Sequence, residues 1–160
     1  MQKQNNSGQT LIEIMVAIAI ITMVLLAVVS RSVEAVRNAN FARNQSLATR
    51  FAQEGVEWVR IQRDRLRWGG LEAALSLNPA VYCLPVLDQP ITGLSIGTAC
   101  DINLDSDNIP GTIFDRQVTI NYFTGAVGEG DYIEIEVSVS WQDSIGTHES
   151  LMETRLSEWI

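Results

Sequence analysis

The sequence predicts an α+β protein in which one long N-terminal α-helix packs on an antiparallel β-sheet. Two observations predict the helix: residues 11–29 are apolar apart from Glu13 and Thr22, and the first proline is Pro79. A third observation predicts the sheet, because apolar and polar side chains alternate from Tyr132 to Trp141. A helix in one part of the chain and strands in another is typical of α+β folds.

The apolar run from Leu11 to Val29 is long enough to cross a membrane. It holds 19 residues, with Glu13 as its single charge, and as an α-helix it would be about 28 Å long, close to the hydrocarbon thickness of a bilayer. An ordinary secretory signal has a shorter apolar stretch with a small-residue cut site after it. Here the small residues Ser7 and Gly8 precede the run, so a cut there would leave the transmembrane helix attached.

The helix is predicted to continue beyond the membrane and to cover residues 9–68. Gly55 is the single glycine in that range, and it indicates either a kink or close packing. Apolar side chains beyond residue 30 recur mostly at helical spacing, which predicts that one face packs on a head. Gly69 and Gly70 predict the end of the helix.

Charge is distributed unevenly along the chain. Residues 1–8 carry one lysine, residues 9–68 carry eight arginines against five acids, and residues 69–160 carry two arginines against fourteen acids, so net charges of +1, +3 and −12 make up the total of −8. An acidic C-terminal part repels phosphate backbones, which argues against a general nucleic-acid binder.

Four arginines cluster near the predicted end of the helix. We interpret them as a solvated face that pairs with Glu57, Asp64 and the acidic head, and we do not favour a nucleic-acid contact. The cluster consists of Arg60, Arg63, Arg65 and Arg67.

The head is predicted to hold a short helical piece and three strands. The helical piece covers residues 71–77, and residues 80–99 are predicted to be irregular because they contain two prolines and two glycines. The strands are expected over residues 116–123, 132–141 and 148–156, with a glycine-rich loop between the first two.

The two cysteines, Cys83 and Cys100, are 17 positions apart in the head. If the head lies outside the cytoplasm, a disulfide is expected between them, and closing a loop of that size contributes on the order of 3 kcal/mol. The alternative is a pair of buried free thiols. Two cysteines and the single histidine, His148, fall short of the usual zinc ligand sets.

One acidic loop is a weak candidate for a calcium site. Oxygen-bearing side chains occupy alternate positions there, as in calcium loops, but Ser106 and Thr112 stand where the glycine and the bidentate glutamate of such a loop belong. An ordinary solvated loop is the favoured interpretation, with no resident metal. The candidate ligands are Asp101, Asn103, Asp105 and Asp107.

The N-terminus resembles the type III signal of type IV pilins and pseudopilins, since residues 8–13 read GQTLIE and a long apolar stretch follows. Gln9 departs from the family, which usually has Phe there. The resemblance implies a type IV pilin-like fold with a leader at residues 1–8, a long helix at 9–68 and a globular head at 69–160. It also implies that a membrane-embedded prepilin peptidase cuts between Gly8 and Gln9 and methylates the new amino group.

The carboxylate of Glu13 is costly inside a bilayer, by about 2.5–3.5 kcal/mol on insertion scales. Cleavage would create an amine on Gln9, four residues away on the same helical face. The resemblance implies that Glu13 recruits subunits into a filament by pairing with such an amine. The alternative is that Glu13 lies at interface depth without an assembly role.

The resemblance implies a structural subunit of a type IV pilus or related filament, with other pilin subunits as partners, and the stretch at residues 52–58 is also similar to PilV-like minor pilins. The alternatives are a pseudopilin of a type II secretion or DNA-uptake system and, in another class, a membrane-anchored extracytoplasmic binding module. We expect no catalytic residue and no cofactor. The more basic flank of a transmembrane helix usually stays in the cytoplasm. Loop charge does not by itself place the head outside, because Arg31 and Arg37 after the run carry more positive charge than Lys3 before it.

The resemblance implies a single pass through the inner membrane with an extracytoplasmic head, and then an extracellular or periplasmic filament.

Overall fold

The computed structural model describes residues 7–125 and 130–158, with the side chains of residues 7–10 excepted. Most of the predicted leader, residues 1–6 with Lys3, therefore lies outside the described residues, and Gly8 and Gln9 are described by their backbone alone. The chain divides into two compact units, residues 1–43 and residues 44–160. The second unit takes in part of the long helix as well as all of the strands.

A single helical element, α1, spans Ser7–Ala74 and confirms the predicted long helix. Every residue from 11 to 43 is exposed. The most apolar 18-residue window of the helix has a mean hydropathy of 2.9, and none of it is buried. By length and composition, this helix is the one element among the described residues that could cross a membrane.

The end of α1 differs from the prediction. Arg67 has a non-helical backbone, with φ 61° and ψ 169°, and it interrupts the helix just before the predicted stop at Gly69 and Gly70. The helix then resumes through both glycines and ends at Ala74, three residues before the predicted end of the second helical piece. The side chain of Leu71 is 1% exposed. Burial of Leu71 in the core outweighs the weak helix propensity of the glycines.

Four strands form one antiparallel sheet in the order β1-β2-β3-β4. The strands are β1 Ala80–Cys83, β2 Phe114–Phe123, β3 Tyr132–Gln142 and β4 Thr147–Ser157. The last three confirm the predicted strands with small changes at their ends.

The prediction of an irregular stretch over residues 80–99 was wrong at β1 and at a short 3₁₀ helix, Ile91–Gly93. In β1 the residues are alternately buried and half-buried. Four residues are too few to show that alternation in the sequence alone. Pairing with β2, which sets Ala80 opposite Ile120, supplies the strand's hydrogen bonds.

The core of the second unit lies between the helix and one face of the sheet. Small and medium apolar side chains of the helix, among them Ala48, Ala52 and Val59, are fully buried. The sheet contributes its inward alternate positions. These are Val118 and Ile120 of β2 and Ile133, Ile135, Val137, Val139 and Trp141 of β3. The predicted α+β fold is therefore confirmed.

Gly55 marks close packing and not a kink, because the break in α1 lies at Arg67. A Cβ atom added to Gly55 would lie 2.8 Å from Cγ1 of Val137 and 3.3 Å from Cδ of Arg116. The first distance is far inside van der Waals contact. A glycine at this position therefore lets the helix approach β3 closely.

We expect the substitution Gly55→Ala to lower the free energy of unfolding by about 1–2 kcal/mol. Overpacking a core costs about 1–3 kcal/mol, and the better helix propensity of alanine offsets up to about 1 kcal/mol of that cost. Chemical denaturation of the detergent-solubilised chain measures the change. Gly69→Ala is the matched control, because no atom lies within 4 Å of its added Cβ, and it should be neutral or stabilising. Equal effects of the two substitutions would contradict close packing at Gly55.

Arg116 connects the helix to the sheet although it is 2% exposed. Its Nε donates to the carbonyl of Leu84 at 3.1 Å and its Nη1 donates to the carbonyl of Phe51 at 3.3 Å. Nη1 also lies 3.5 Å from Oε2 of Glu54. Burial lowers the pKa of Arg116, and Glu54 partly counteracts that change. The sequence did not single out this residue, which occupies an inward position of β2 between Phe114 and Val118.

Candidate functional site

The candidate functional site is the N-terminal part of α1, which the sequence assigned to processing and assembly. Large apolar side chains cover it on all sides, and those between residues 11 and 29 are 53–74% exposed. Burying one such side chain contributes about 1.5–3 kcal/mol. An uncovered apolar surface of this size requires lipid or other helices around it.

Two described hydroxyl groups in or next to the apolar run are satisfied within the helix. Thr22 Oγ1 donates to the carbonyl of Ala19 at 2.9 Å, and Ser30 Oγ donates to the carbonyl of Leu26 at 3.0 Å. Such bonds remove the cost of placing a hydroxyl group in a nonpolar medium. The segment therefore suits a bilayer in its hydrogen bonding as well as in its composition.

Glu13 is different from these hydroxyl groups. It is the single ionisable residue between Leu11 and Val29, it is exposed, and its carboxylate makes no hydrogen bond or ion pair with any side chain that the structure describes. If this carboxylate stays ionised inside a bilayer, its partner must come from outside the described part of its own chain.

The backbones of Gly8 and Gln9 lie in the first turn of α1, which begins at Ser7. Gln9 precedes Glu13 by four residues in this one helix, and residues at that spacing share a face. The predicted cut site and the lone carboxylate are thus one helical turn apart.

Residues 3–29 match a family model described as the prokaryotic N-terminal methylation motif. This segment is a type IV pilin signal. The match includes the predicted cut site, Glu13 and the whole apolar run. Neither a curated protein nor a solved structure matches the chain.

The signal supports a subunit of the pilin or pseudopilin type and points to a structural role and not to an enzyme. It implies processing by a prepilin peptidase and assembly with other pilins, with anchoring in a membrane before that. The long apolar helix and the antiparallel sheet give the α+β architecture of such subunits.

In the head, the Sγ atoms of Cys83 and Cys100 form a disulfide at 2.07 Å. It joins the end of β1 to the segment that precedes β2. The backbone N–H of Cys100 also donates to Oε1 of Gln117 at 3.3 Å. The disulfide and this hydrogen bond hold the segment before β2 against the sheet.

The candidate calcium loop closes on itself. Oδ1 of Asp101 accepts hydrogen bonds from the backbone and side-chain N–H groups of Asn103 at 2.9 and 2.8 Å, and these bonds lower the pKa of Asp101. Oδ2 of Asp107 accepts from the backbone of Asp101 at 2.9 Å. Within residues 7–125 and 130–158, no three acidic, histidine or cysteine side chains are grouped as metal ligands. Asp101, Asn103 and Asp107, three of the four candidate ligands, are thus hydrogen-bonded within the loop, and Asp105 is the fourth.

The same loop covers a carboxylate that the sequence did not single out, Asp115 of β2. Asp115 is 1% exposed, and neither of its oxygens has a hydrogen-bond partner among the described residues. Asn108 forms a bridge with it, and the backbone N–H of Ile109 donates to the carbonyl of Phe114 at 2.7 Å. Burial, and then the charges of Asp107 and Asp101, raise the pKa of Asp115 to about 6.

The raised pKa of Asp115 predicts that the head loses stability as pH increases. A carboxyl group near pKa 4 in the unfolded chain and about 6 in the folded chain stabilises the fold fully below pH 4, and that contribution is lost as pH rises through 6. We expect a loss of at most about 3 kcal/mol between pH 4 and pH 8. Asp115→Asn should remove it, and Asp88→Asn, at an exposed position, should not. Denaturation curves at pH 4 and pH 8 measure this loss in the free energy of unfolding. If Asp115→Asn kept the pH dependence of the wild-type chain, Asp115 would not be its cause.

Two arginines of the cluster pair with the predicted acids of the helix. Arg60 pairs with Glu57, and Nη2 of Arg63 lies 2.8 Å from Oδ1 of Asp64. These are pairs between neighbours on a helix, and the acids in both are exposed. Such pairs contribute little to stability, about 0–1 kcal/mol.

The single histidine, His148, lies in β4. Its Nε2 is 3.1 Å from Oδ1 of Asp143, and its ring centroid is 5.3 Å from that of Trp141. Asp143 also accepts from the backbone N–H of Ile145 at 2.7 Å, and this hydrogen bond is the main reason that its pKa is lowered. Together these contacts fix the β3–β4 turn.

Proposed function

We propose that this chain is a minor pilin of a type IV pilus, cut after Gly8 and built into the filament through its N-terminal helix. One observation carries the proposal: the pilin signal at residues 3–29 coincides with a helical segment whose apolar side chains nothing in the described chain covers. In this proposal residues 1–8 are the leader, residues 9–68 the long helix and residues 69–160 the head.

The cut supplies the partner that Glu13 lacks. Cleavage between Gly8 and Gln9 creates a positive amine one helical turn from Glu13. In apolar surroundings the amine of an incoming subunit pairs with Glu13 of a neighbour, and a subunit inserted out of register leaves two charges unpaired. Processing therefore prepares assembly, and the ion pair sets the register of the helices.

The proposal places the chain once across the inner membrane, from about Leu11 to Val29, with the head outside the cytoplasm. The disulfide between Cys83 and Cys100 supports that orientation, because disulfides persist in oxidising compartments. The assignment to the PilV-like minor pilins rests on the likeness at residues 52–58. A pseudopilin of a secretion or DNA-uptake system carries the same kind of signal and is the second candidate.

The test of processing compares the wild-type chain with Gly8→Leu by intact mass in cells that contain a prepilin peptidase. We expect the wild-type chain to be eight residues shorter than its gene product, and Gly8→Leu to keep its full length and remain in the membrane. Ser7→Ala is the control and should be processed normally. A wild-type chain that is never shortened would contradict the proposal and favour a membrane-anchored binding module.

A further inference from the structure

Residues 101–113 form a flap beside the start of β2. The disulfide fixes the residue before the flap, Cys100, and β2 begins at the residue after it, Phe114. Between these ends, the backbone N–H of Ile109 donates to the carbonyl of Phe114 at 2.7 Å. Flap residues take part in none of the three strand pairings of the described sheet. Lifting the flap would therefore leave the four-stranded sheet intact.

The flap covers the side chain of Asp115, and Asn108 of the flap forms a bridge with that residue. Phe114 and Arg116, its neighbours in β2, are buried on the core side, so Asp115 lies on the opposite face of the sheet. There it is 1% exposed, and neither of its oxygens has a hydrogen-bond partner among the described residues. Burying a charge without donors costs far more than burying a neutral group, so this site favours the protonated form.

Two acids of the flap face Asp115. Burial, and then the charges of Asp107 and Asp101, raise the pKa of Asp115 to about 6. Oδ2 of Asp107 accepts from the backbone N–H of Asp101 at 2.9 Å, which holds the two flap acids beside each other. When Asp115 is ionised, three negative charges therefore repel one another under the closed flap.

On the sheet, the described neighbours of Asp115 add no positive charge to this face. Ser140 lies opposite Asp115 on β3, and Glu149 lies opposite Ser140 on β4. The side chain of Arg116 is turned toward the core, where its Nη1 lies 3.5 Å from Oε2 of Glu54. Ionisation of Asp115 is therefore uncompensated as long as the flap is closed.

We propose that ionisation of Asp115 releases the flap, which closes over the neutral carboxyl group and lifts when that group loses its proton. Lifting lets water donate the hydrogen bonds that the closed flap does not supply, and it separates the acids. The disulfide holds Cys100 in place, so the movement is local and reversible. Once the flap has lifted, the carboxylate is solvated, and the loss of stability at higher pH stops at the free energy of closing.

Proton linkage gives the direction and the size of the effect. The pKa of Asp115 is about 6 under the closed flap and about 4 when water reaches the group. The equilibrium constant for lifting therefore rises about tenfold between pH 5 and pH 8. The flap and Asp115 lie wholly in the second unit and do not require the cut after Gly8, so a failure of this proposal would leave the proposed function standing.

Hydrogen exchange in the detergent-solubilised full-length chain tests the release. Protection factors of the Ile109 and Val137 amides are compared at pH 5 and pH 8 in EDTA, which removes divalent cations that would offset the acids. We expect Ile109 to lose protection about tenfold between pH 5 and pH 8. At pH 8 it should be at least about tenfold less protected than Val137, in the middle of β3.

Two results of this experiment would overturn the proposal. Equal protection of Ile109 and Val137 would mean that the flap opens only when the whole head unfolds. Constant protection of Ile109 between pH 5 and pH 8 would mean that no ionisation in this range releases the flap.

Three substitutions of acids by asparagine assign the effect to Asp115. Asp115→Asn does not ionise and should keep the protection of Ile109 constant between pH 5 and pH 8. Asp107→Asn keeps an oxygen for the N–H of Asp101 but removes a charge, and it should reduce the change to less than about fivefold. Asp105→Asn, at an exposed position of the flap, is the matched control and should keep the full change. A pH dependence that persists in Asp115→Asn, or equal changes in Asp107→Asn and Asp105→Asn, would overturn the proposal.

Discussion

Glu13→Leu is expected to leave the chain in the membrane and to lower its incorporation into filaments by at least about tenfold. Loss of the carboxylate makes the helix easier to insert, because a charge inside the bilayer costs about 2.5–3.5 kcal/mol. It also removes the group that pairs with the amine of another subunit, and an energy of that size corresponds to a change of tenfold or more in an equilibrium. The measurement is the ratio of this chain in sheared filaments to this chain in membranes.

The chain offers a matched control for Glu13 in the same apolar segment. Thr22→Leu also removes a polar group, but the Thr22 hydroxyl is already bonded to the carbonyl of Ala19. This control should enter filaments as well as the wild-type chain does. If Glu13→Leu is incorporated normally, the assembly role of Glu13 is wrong and its carboxylate simply lies at the depth of the lipid headgroups.

Arg116→Ala is expected to have the largest effect on the stability of the head, with a loss of about 2–4 kcal/mol from the unsatisfied acceptor and the lost packing. The guanidinium group satisfies the carbonyls of Leu84 and Phe51 and faces Glu54. Its removal takes this donor from the buried carbonyl of Leu84 and takes the buried partner from the Glu54 carboxylate. Denaturation of the detergent-solubilised chain, followed by a signal from the head, measures the loss.

Arg50→Ala is the matched control, because Arg50 pairs with the same carboxylate, that of Glu54, from an exposed position at 3.3 Å. An exposed pair is worth about 0–1 kcal/mol, so the control should cost less than 1 kcal/mol. Similar losses for Arg50→Ala and Arg116→Ala would mean that burial of Arg116 does not determine its contribution.

Features carried by a continuous stretch of sequence were predictable. The apolar run and the absence of proline predicted α1, and the period-two alternation between Tyr132 and Trp141 predicted β3. The pilin signal was likewise recognisable, because the cut site, Glu13 and the apolar run lie within residues 3–29. Gly55 indicated close packing or a kink, and only its neighbours Val137 and Arg116 decide between them.

Features that depend on contacts between distant parts of the chain were not predictable. β1 is a strand because β2 pairs with it, and its own four residues carry too short a pattern. Asp115 and Arg116 are ordinary charged residues in the sequence, and the loop and the helix that bury them come from elsewhere in the chain. The free edge of β4 follows from the strand order, which the alternation within a strand does not determine.

The most direct test of the proposed function is the N-terminus of this chain in filaments sheared from the cell surface. Intact mass and N-terminal sequencing should show a chain that begins at Gln9 and is heavier than the unmodified chain by CH₂, the net gain of one methylation. Loss of ammonia in place of that gain would show that Gln9 has cyclised, which removes the amine and contradicts its pairing with Glu13. A chain that still begins at Met1 and is recovered only from membranes would contradict both the processing and the assembly proposed here.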